Sequence, residues 1–183
     1  MKATASAVRR KRSLLREGLR RSGSVLVGFS GGKDSFFLLR EAVAALGPER
    51  AVPVFVATPL NGEAARARVD YFRKLAPVPI RELRLDLLAS PRLRRNPRRR
   101  CFVCKQLMFS ALKKEAARLG ISSVADGSTA SDQAEHRPGR QAASGLPGDH
   151  RAVQPGNPHA HIPAAPSASG RGGAGWRRPR VRP

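Results

Sequence analysis

A glycine-rich turn between an apolar segment and an amphipathic helix is the part of the sequence best suited to chemistry. It reads Ser-Gly-Gly-Lys-Asp-Ser over residues 30–35 and follows the apolar residues 25–29. Two adjacent glycines let the backbone adopt positive φ and approach a polyanion, and the N-terminus of the following helix adds free N–H groups. The turn predicts a pyrophosphate site for splitting ATP into AMP and pyrophosphate. The predicted nucleotide-binding residues are Ser30, Gly31, Gly32, Lys33, Asp34 and Ser35.

Two other interpretations of these residues, which we call the glycine loop, can be weighed from the sequence. A Walker P-loop requires G-x-x-x-x-G-K-[ST]. Here Gly28 lies one residue too close to Gly32, and Asp34 stands where Ser or Thr would bind magnesium. The Walker interpretation is therefore excluded. A plain helix start capped by Ser30 is the remaining alternative, but it does not explain an acidic residue inside an anion site.

A second candidate loop spans residues 127–135, and we call it the acidic loop. Gly127 would let the backbone turn against a ligand, and Ser128 is predicted to contact the nucleotide beside it. Asp132 and Glu135 lie three positions apart and would share one face of a helical turn. Two carboxylates beside a pyrophosphate suit Mg²⁺. The alternative is a helix start capped by serine, with acids in its first turn.

The only two cysteines, Cys101 and Cys104, form a C-x-x-C motif among basic residues. Cys104 is predicted to lie at the start of a helix, and positive neighbours at a helix N-terminus favour the thiolate. Such a pair could hold a metal or an iron–sulfur cluster, act as nucleophile and resolving thiol, or simply pack in a strand-to-helix corner. A closed zinc site would need two further ligands, and the sequence has no second C-x-x-C.

Alternating strand and helix patterns predict how these motifs are positioned. The predicted helices span about 4–21, 34–46, 62–75 and 103–119, the predicted strands span about 25–29, 51–57, 80–86 and 121–125, and a basic loop covers 90–100. This alternation predicts an α/β fold, with a parallel sheet flanked by helices. Ligands of such sheets bind at the carboxyl ends of the strands. Both loops begin there, so we expect one shared site.

The sequence divides into three regions. The chain has 183 residues. Residues 1–22 are predicted to form a basic helix, and residues 23–140 are predicted to form a partial ATP-binding domain. Residues 141–183 are rich in Pro, Gly, Ala and Arg, and their apolar residues follow no period. Such a segment buries too little apolar surface to offset its ordering entropy, so we predict that it is disordered.

The formal net charge of +22 indicates which classes of molecule the protein could attract. Such a field attracts nucleotides, acidic substrates and RNA alike. Nucleic-acid binding is not expected, because one Tyr and one Trp offer little stacking surface. We expect a nucleotide and a small-molecule carboxylate as substrates, and homo-oligomerisation stays open. No segment resembles a membrane span or a secretory signal, so a cytoplasmic location without membrane partners is the expectation.

On these residues the chain resembles the N-type ATP pyrophosphatase (PP-loop) superfamily, whose fold is adenine nucleotide alpha hydrolase-like. The glycine loop matches its signature hexapeptide, and the acidic loop resembles its downstream acidic segment. The stretch Asn96-Pro-x-x-Arg-Cys-x-x-Cys-Lys105, followed later by Arg137-Pro-Gly, further resembles the LarE family of ATP-dependent sacrificial sulfur transferases. That family assists assembly of the nickel-pincer nucleotide cofactor of lactate racemase. The resemblance covers about residues 5–140.

The resemblance implies a two-stage reaction. ATP adenylates a carboxylate on a pyridinium mononucleotide, magnesium pyrophosphate leaves from the glycine loop, and a sulfur nucleophile then displaces AMP to give a thiocarboxylate. It also implies that Asp34, Cys101 and Cys104 are the catalytic candidates. Some members hold a [4Fe–4S] cluster on three cysteines; Cys101 and Cys104 match two of these, and the third is missing from this chain.

After about residue 140 the family pattern is lost. The composition there resembles a GC-rich gene read out of frame, which favours a frameshifted or truncated member. On this interpretation the chain is an inactive fragment for sulfur transfer that retains nucleotide binding. The alternatives are a tRNA-thiolating PP-loop enzyme and a non-catalytic, basic nucleic-acid- or metal-binding module.

Overall fold

The computed structural model describes residues 5–128, and in this range it confirms the predicted α/β fold. The helices are α1 (Ala5–Ser22), α2 (Lys33–Leu46), α3 (Glu63–Leu75), α4 (Pro91–Arg94) and α5 (Arg100–Arg118), and a 3₁₀ turn spans Leu87–Ala89. The strands are β1 (Val25–Gly28), β2 (Ala51–Ala57), β3 (Arg81–Arg84) and β4 (Ser123–Asp126). In residues 5–128 no helix combines the length and the apolar character needed to cross a membrane.

The four strands form one parallel sheet in the order β3-β2-β1-β4. Along the chain, β2 and β3 add to one side of β1, whereas β4 pairs with its other side. Because parallel crossovers are right-handed, this reversal places α2 and α3 on one face and α5 on the opposite face. The reversal occurs between β1 and β4, where the crevice of an open α/β sheet receives its ligand.

Alternating side chains of β1 divide the hydrophobic core between the two faces. Val25 and Val27 pack in a cluster with buried residues of α1 and α2. Leu26 belongs to a separate cluster with Leu112 and Ala116 of α5. Strands covered on both faces are continuously apolar, which is why β1 and β2 are recognisable in the sequence.

Helix α1 is fastened to α2 through a buried carboxylate. Glu41 is 3% exposed and accepts hydrogen bonds from Arg12 Nη2 and Arg16 Nε, each at 2.7 Å. Burial raises the pKa of Glu41, but the hydrogen bonds and charges of the two arginines outweigh it and leave that pKa below its usual value. The ion pair is therefore formed at neutral pH and stabilises the docking of α1.

We expect Glu41→Gln to reduce the free energy of unfolding at pH 7 by about 1–2 kcal/mol, because the arginines are only partly buried and can be rehydrated. The folded-state pKa is depressed, so the contribution of Glu41 is complete above its unfolded pKa of about 4.3 and is lost as the pH falls further. Urea denaturation at neutral and acid pH measures this difference. Glu17→Gln, which removes the exposed pair with Arg21, is the control and should change little. An equal loss at both pH values would contradict the assignment.

Several predicted boundaries differ from the structure. Strand β1 ends at Gly28 rather than residue 29, and β4 spans Ser123–Asp126 rather than about 121–125. Strand β3 ends at Arg84 rather than near residue 86, although the Leu85 N–H still donates to the Ala57 carbonyl oxygen at 2.9 Å. The predicted loop 90–100 contains α4, which starts with Pro91 at a position where its missing N–H costs nothing. Helix α5 begins at Arg100 instead of residue 103, because after Pro97 no residue interrupts the helix.

Candidate functional site

The glycine loop and the start of the acidic loop leave adjacent strands at the same edge of the sheet. Gly28 at the end of β1 is in register with Asp126 at the end of β4. The N-terminus of α5 lies at this edge too, because α5 follows the carboxyl end of β3 and returns the chain to the start of β4. The topology therefore brings the glycine loop, Gly127 and the C-x-x-C segment to one side of the molecule.

The glycine loop has the bent backbone that its sequence predicts. Gly31 has a φ of +76°, and a Cβ at this position would come within 2.9 Å of Val69 Cγ2 in α3. Gly32 is the N-cap of α2, with extended backbone and no side-chain capping bond. The alternative of a helix start capped by Ser30 is therefore wrong.

Ser35 is buried and holds the glycine loop together through hydrogen bonds. It is 1% exposed, and its hydroxyl donates to the Gly32 carbonyl oxygen at 2.9 Å. The same hydroxyl oxygen accepts from the Ser30 N–H at 3.3 Å and lies 3.2 Å from Ser30 Oγ. Its hydrogen-bonding capacity is thus spent within the loop. In this conformation Ser35 positions the loop, and Ser30 is the exposed hydroxyl of the pair.

The rest of the loop offers groups that can meet an anion. Among residues 5–128, no partner accepts from the backbone N–H groups of residues 31–34. These donors stand at the N-terminus of α2, where the helix dipole favours negative charge. The side chains of Lys33 and Asp34 are both exposed. Free donors beside one cation and one carboxylate can bind a phosphate group together with its counterion.

Gly127 packs directly on the backbone of the glycine loop. A Cβ at this position would lie 2.7 Å from the Ser35 nitrogen, closer than real Cβ atoms approach, and 3.0 Å from the Ser35 Cα. Beside it, Ser128 Oγ donates to Asp126 Oδ2 at 2.7 Å, and the Ser128 N–H to Asp126 Oδ1 at 3.4 Å. The two loops, which we expected to share one site, are therefore in contact at Gly127, whereas the Ser128 hydroxyl is engaged by Asp126.

The predicted magnesium ligands Asp132 and Glu135 lie outside the described residues, as do the Arg137-Pro-Gly motif and the segment 141–183 that we predicted to be disordered. Within residues 5–128, the glycine loop carries the carboxylate of Asp34, and the end of β4 carries that of Asp126. Because Asp126 is bonded to Ser128, Asp34 is the one whose oxygens have no partner there. A magnesium ion carried by a nucleotide could use it as a ligand.

The cysteines are placed differently from the prediction. They are the second and fifth residues of α5, so Cys104 does not begin the helix. Cys101 is exposed, whereas Cys104 is partly buried and its Sγ lies 3.8 Å from Met108 Sδ. Burial and the neighbouring Cys101 raise the pKa of Cys104, outweighing Lys105, which lowers it. The expectation that the surroundings favour a thiolate is therefore wrong for Cys104.

A complete cluster site is not formed within the described range. In residues 5–128 no three His, Cys, Asp or Glu side chains lie close enough to hold a metal ion together. The two thiols supply half of a four-ligand site. The residues that the structure describes therefore do not fit a [4Fe–4S] cluster by themselves.

Two supports of the site were missed from the sequence. The Thr58 N–H donates to Asn61 Oδ1 at 2.6 Å, and this side-chain bond forms a tight turn at the end of β2, beside the glycine loop. A buried threonine after an apolar strand, with Asn three residues later, is a usable turn signal. Val69, which packs against Gly31, shows no signal beyond the helical period of α3.

Comparison with known proteins agrees with this arrangement. No family model matches the chain. Over 134 residues it is 27% identical to the pyridinium-3,5-bisthiocarboxylic acid mononucleotide synthase of Lactiplantibacillus plantarum, covering 73% of this chain and 49% of that protein. It is also 25% identical over 118 residues to the uncharacterized protein MJ0830 of Methanocaldococcus jannaschii, covering 64% and 44%. The chain spans about half the length of these curated relatives. The resemblance to the LarE family predicted from the motifs is therefore confirmed, at low identity.

Proposed function

We propose that this chain carries the nucleotide site of an ATP-dependent sulfur transferase of nickel-pincer nucleotide cofactor biosynthesis. The observation that carries the proposal is the packing of Gly127 on the backbone of Asp34 and Ser35. This contact joins the two motif loops at the reversal point of the sheet, beside free N–H donors. The similarity to a synthase whose name specifies a bisthiocarboxylic acid mononucleotide supports the substrate class, a carboxylate on a pyridinium mononucleotide.

In the first step of the proposed reaction, the substrate carboxylate attacks the α-phosphate of ATP and pyrophosphate leaves. In this proposal the N–H groups of residues 31–34 bind the leaving pyrophosphate, and because negative charge grows there, they stabilise the transition state more than they stabilise ATP. Lys33 adds a positive charge at the same place. The acyl adenylate that remains is a good electrophile, which a carboxylate is not.

Asp34 is proposed to orient the nucleotide through its counterion. A bound magnesium ion would neutralise part of the negative charge of the pyrophosphate. The other predicted magnesium ligands, Asp132 and Glu135, lie outside the described residues. In the second step a sulfur nucleophile displaces AMP and yields the thiocarboxylate, and Cys101 and Cys104 are the thiols that this chain brings to the same edge.

We expect Asp34→Ala to weaken binding of MgATP by at least about tenfold, a loss of about 1.4 kcal/mol. The fold should remain, because the Asp34 side chain is exposed and pairs with no residue in 5–128. Titration calorimetry with MgATP and with magnesium pyrophosphate measures the affinity, and circular dichroism checks the fold. Asp70→Ala is the matched control, since it removes an exposed acid of α3 that pairs with Arg73.

Unchanged affinity in Asp34→Ala would remove Asp34 from the proposal, and no MgATP binding by the unchanged chain would refute the site. Titration with tRNA tests the alternative of a tRNA-thiolating enzyme. A steep salt dependence of tRNA binding, reflecting many phosphate contacts, would favour that alternative over a small-molecule substrate.

A further inference from the structure

The two cysteines are arranged on α5 as a pair with unequal access. Three positions apart on a helix, they project from neighbouring places on one side. Cys101 is exposed, whereas Cys104 is partly buried and contacts Met108. In the described structure both are free thiols. A solute that approaches this side of the molecule therefore meets Cys101 first.

The helix itself gives the pair a spacing that permits a covalent bond. The pitch of an α-helix places Cα atoms three residues apart at about 5 Å. Disulfides bridge Cα atoms about 4.4–6.8 Å apart, so the backbone does not have to move far. Both residues lie in the first two turns of α5, at the end of the helix.

Basic residues flank the exposed thiol along the chain. Arg98 and Arg100 are exposed beside Cys101, and no acidic residue occurs in the sequence between Asp86 and Glu115. Such a field concentrates anionic solutes near the pair, among them anionic small-molecule disulfides. The exposed thiol, the shielded thiol and the positive field are three independent features of one segment.

We propose that Cys101 and Cys104 form a reversible dithiol–disulfide pair, in which Cys101 exchanges with small-molecule disulfides and Cys104 resolves the product. The Cys101 thiolate attacks one sulfur of the small disulfide, whose S–S bond breaks and releases one thiolate. The Cys104 thiolate then attacks Cys101 Sγ, forms the internal disulfide and releases the second thiolate. The pair loses two electrons and two protons, and the small disulfide becomes two thiols.

This reaction needs no nucleotide, so it can be tested independently of the proposed ATP chemistry. Its consequence for sulfur transfer is direct: in the disulfide form neither sulfur can act as a nucleophile or ligate a metal. The pair thereby links the thiol chemistry of the site to the redox state of its surroundings.

The test uses the full chain, reduced and then incubated with glutathione disulfide at about pH 8, where thiolates are well populated. Intact mass and alkylation of the remaining thiols identify the product. We expect the unchanged chain to lose two hydrogens and become resistant to alkylation, and dithiothreitol to reverse both changes. Cys104→Ser should stop with one glutathione on Cys101. Cys101→Ser should react at least about tenfold more slowly, because its remaining thiol is partly buried.

Three results would overturn the proposal: two glutathione adducts on the unchanged chain, disulfide-linked dimers in place of the internal bond, or equal reaction rates for the two serine variants. Circular dichroism establishes that each variant is folded, and the corresponding alanine variants replace any that is not. The same preparations are titrated with MgATP. Loss of disulfide formation with intact nucleotide binding, or the reverse, separates this proposal from the proposed function.

Discussion

Replacing Gly127 with alanine is expected to weaken MgATP and pyrophosphate binding by at least about tenfold and to lower the free energy of unfolding by about 1–3 kcal/mol. The added methyl group would lie 2.7 Å from the Ser35 nitrogen and 3.1 Å from the Asp34 carbonyl carbon. Both are backbone atoms at the start of α2 and cannot rotate away. The glycine loop must therefore shift, and with it the N–H donors that we propose bind the phosphates.

Gly62→Ala is the matched control for this experiment. Gly62 is the N-cap of α3, its φ is −66°, and no atom lies within 4 Å of the position of a Cβ. The same chemical change is therefore made without a collision, and it should leave nucleotide affinity unchanged. Calorimetric titration and thermal unfolding of the two variants supply the comparison. If Gly127→Ala bound MgATP as tightly as the unchanged chain, the contact between the loops would have no part in nucleotide binding.

The sequence predicts the sheet well where one local signal dominates. Strand β2 was predicted at 51–57 and has these bounds, because it is apolar throughout and follows Gly47 and Pro48. Strand β3 was predicted too long, because it lies at the edge of the sheet and only alternate residues are shielded. Edge strands carry a weaker apolar pattern, so their ends are decided by pairing with a neighbour.

The candidate site also has features that the sequence predicts and features that it does not. The bend at Gly31 follows from residue type alone, since positive φ is most accessible to glycine. The contact of Gly127 with Ser35 does not, because it depends on the pairing of β1 with β4 across about a hundred residues. The burial of Cys104 likewise depends on where α5 begins and on how it packs, and neither is encoded within the C-x-x-C motif.

A pattern that suggests binding can also belong to the scaffold. Ser35 is one of the predicted nucleotide-binding residues, and in the structure it is 1% exposed with its hydroxyl bonded within the loop. Sequence spacing places Ser35 next to Asp34 without showing that one points inward and the other toward solvent. Helical geometry separates neighbouring side chains by about 100°, so adjacent motif residues seldom do the same work.

Gly31→Ala is expected to lower the free energy of unfolding by about 2–4 kcal/mol and to abolish measurable pyrophosphate binding. One part of this cost is the positive φ of +76°, worth about 1–2 kcal/mol for a residue with a side chain. The other part is the collision of the new methyl group with Val69 Cγ2 at 2.9 Å and the Val69 nitrogen at 3.3 Å. Urea denaturation and calorimetry with pyrophosphate measure the two effects.

Gly23→Ala separates these two contributions. Gly23 has a similar φ of +69°, but no atom lies within 4 Å of the position of its Cβ. The Gly23→Ala variant should lose only the unfolding free energy that the positive φ costs. It should bind pyrophosphate normally, because residue 23 lies before β1 begins, at the opposite edge of the sheet. The difference in unfolding free energy between the two variants then measures how tightly α3 supports the glycine loop. Equal losses of stability, with pyrophosphate binding intact in both variants, would contradict this prediction. They would show that α3 moves to accommodate the methyl group and that the glycine loop tolerates a side chain where we propose that it binds phosphate.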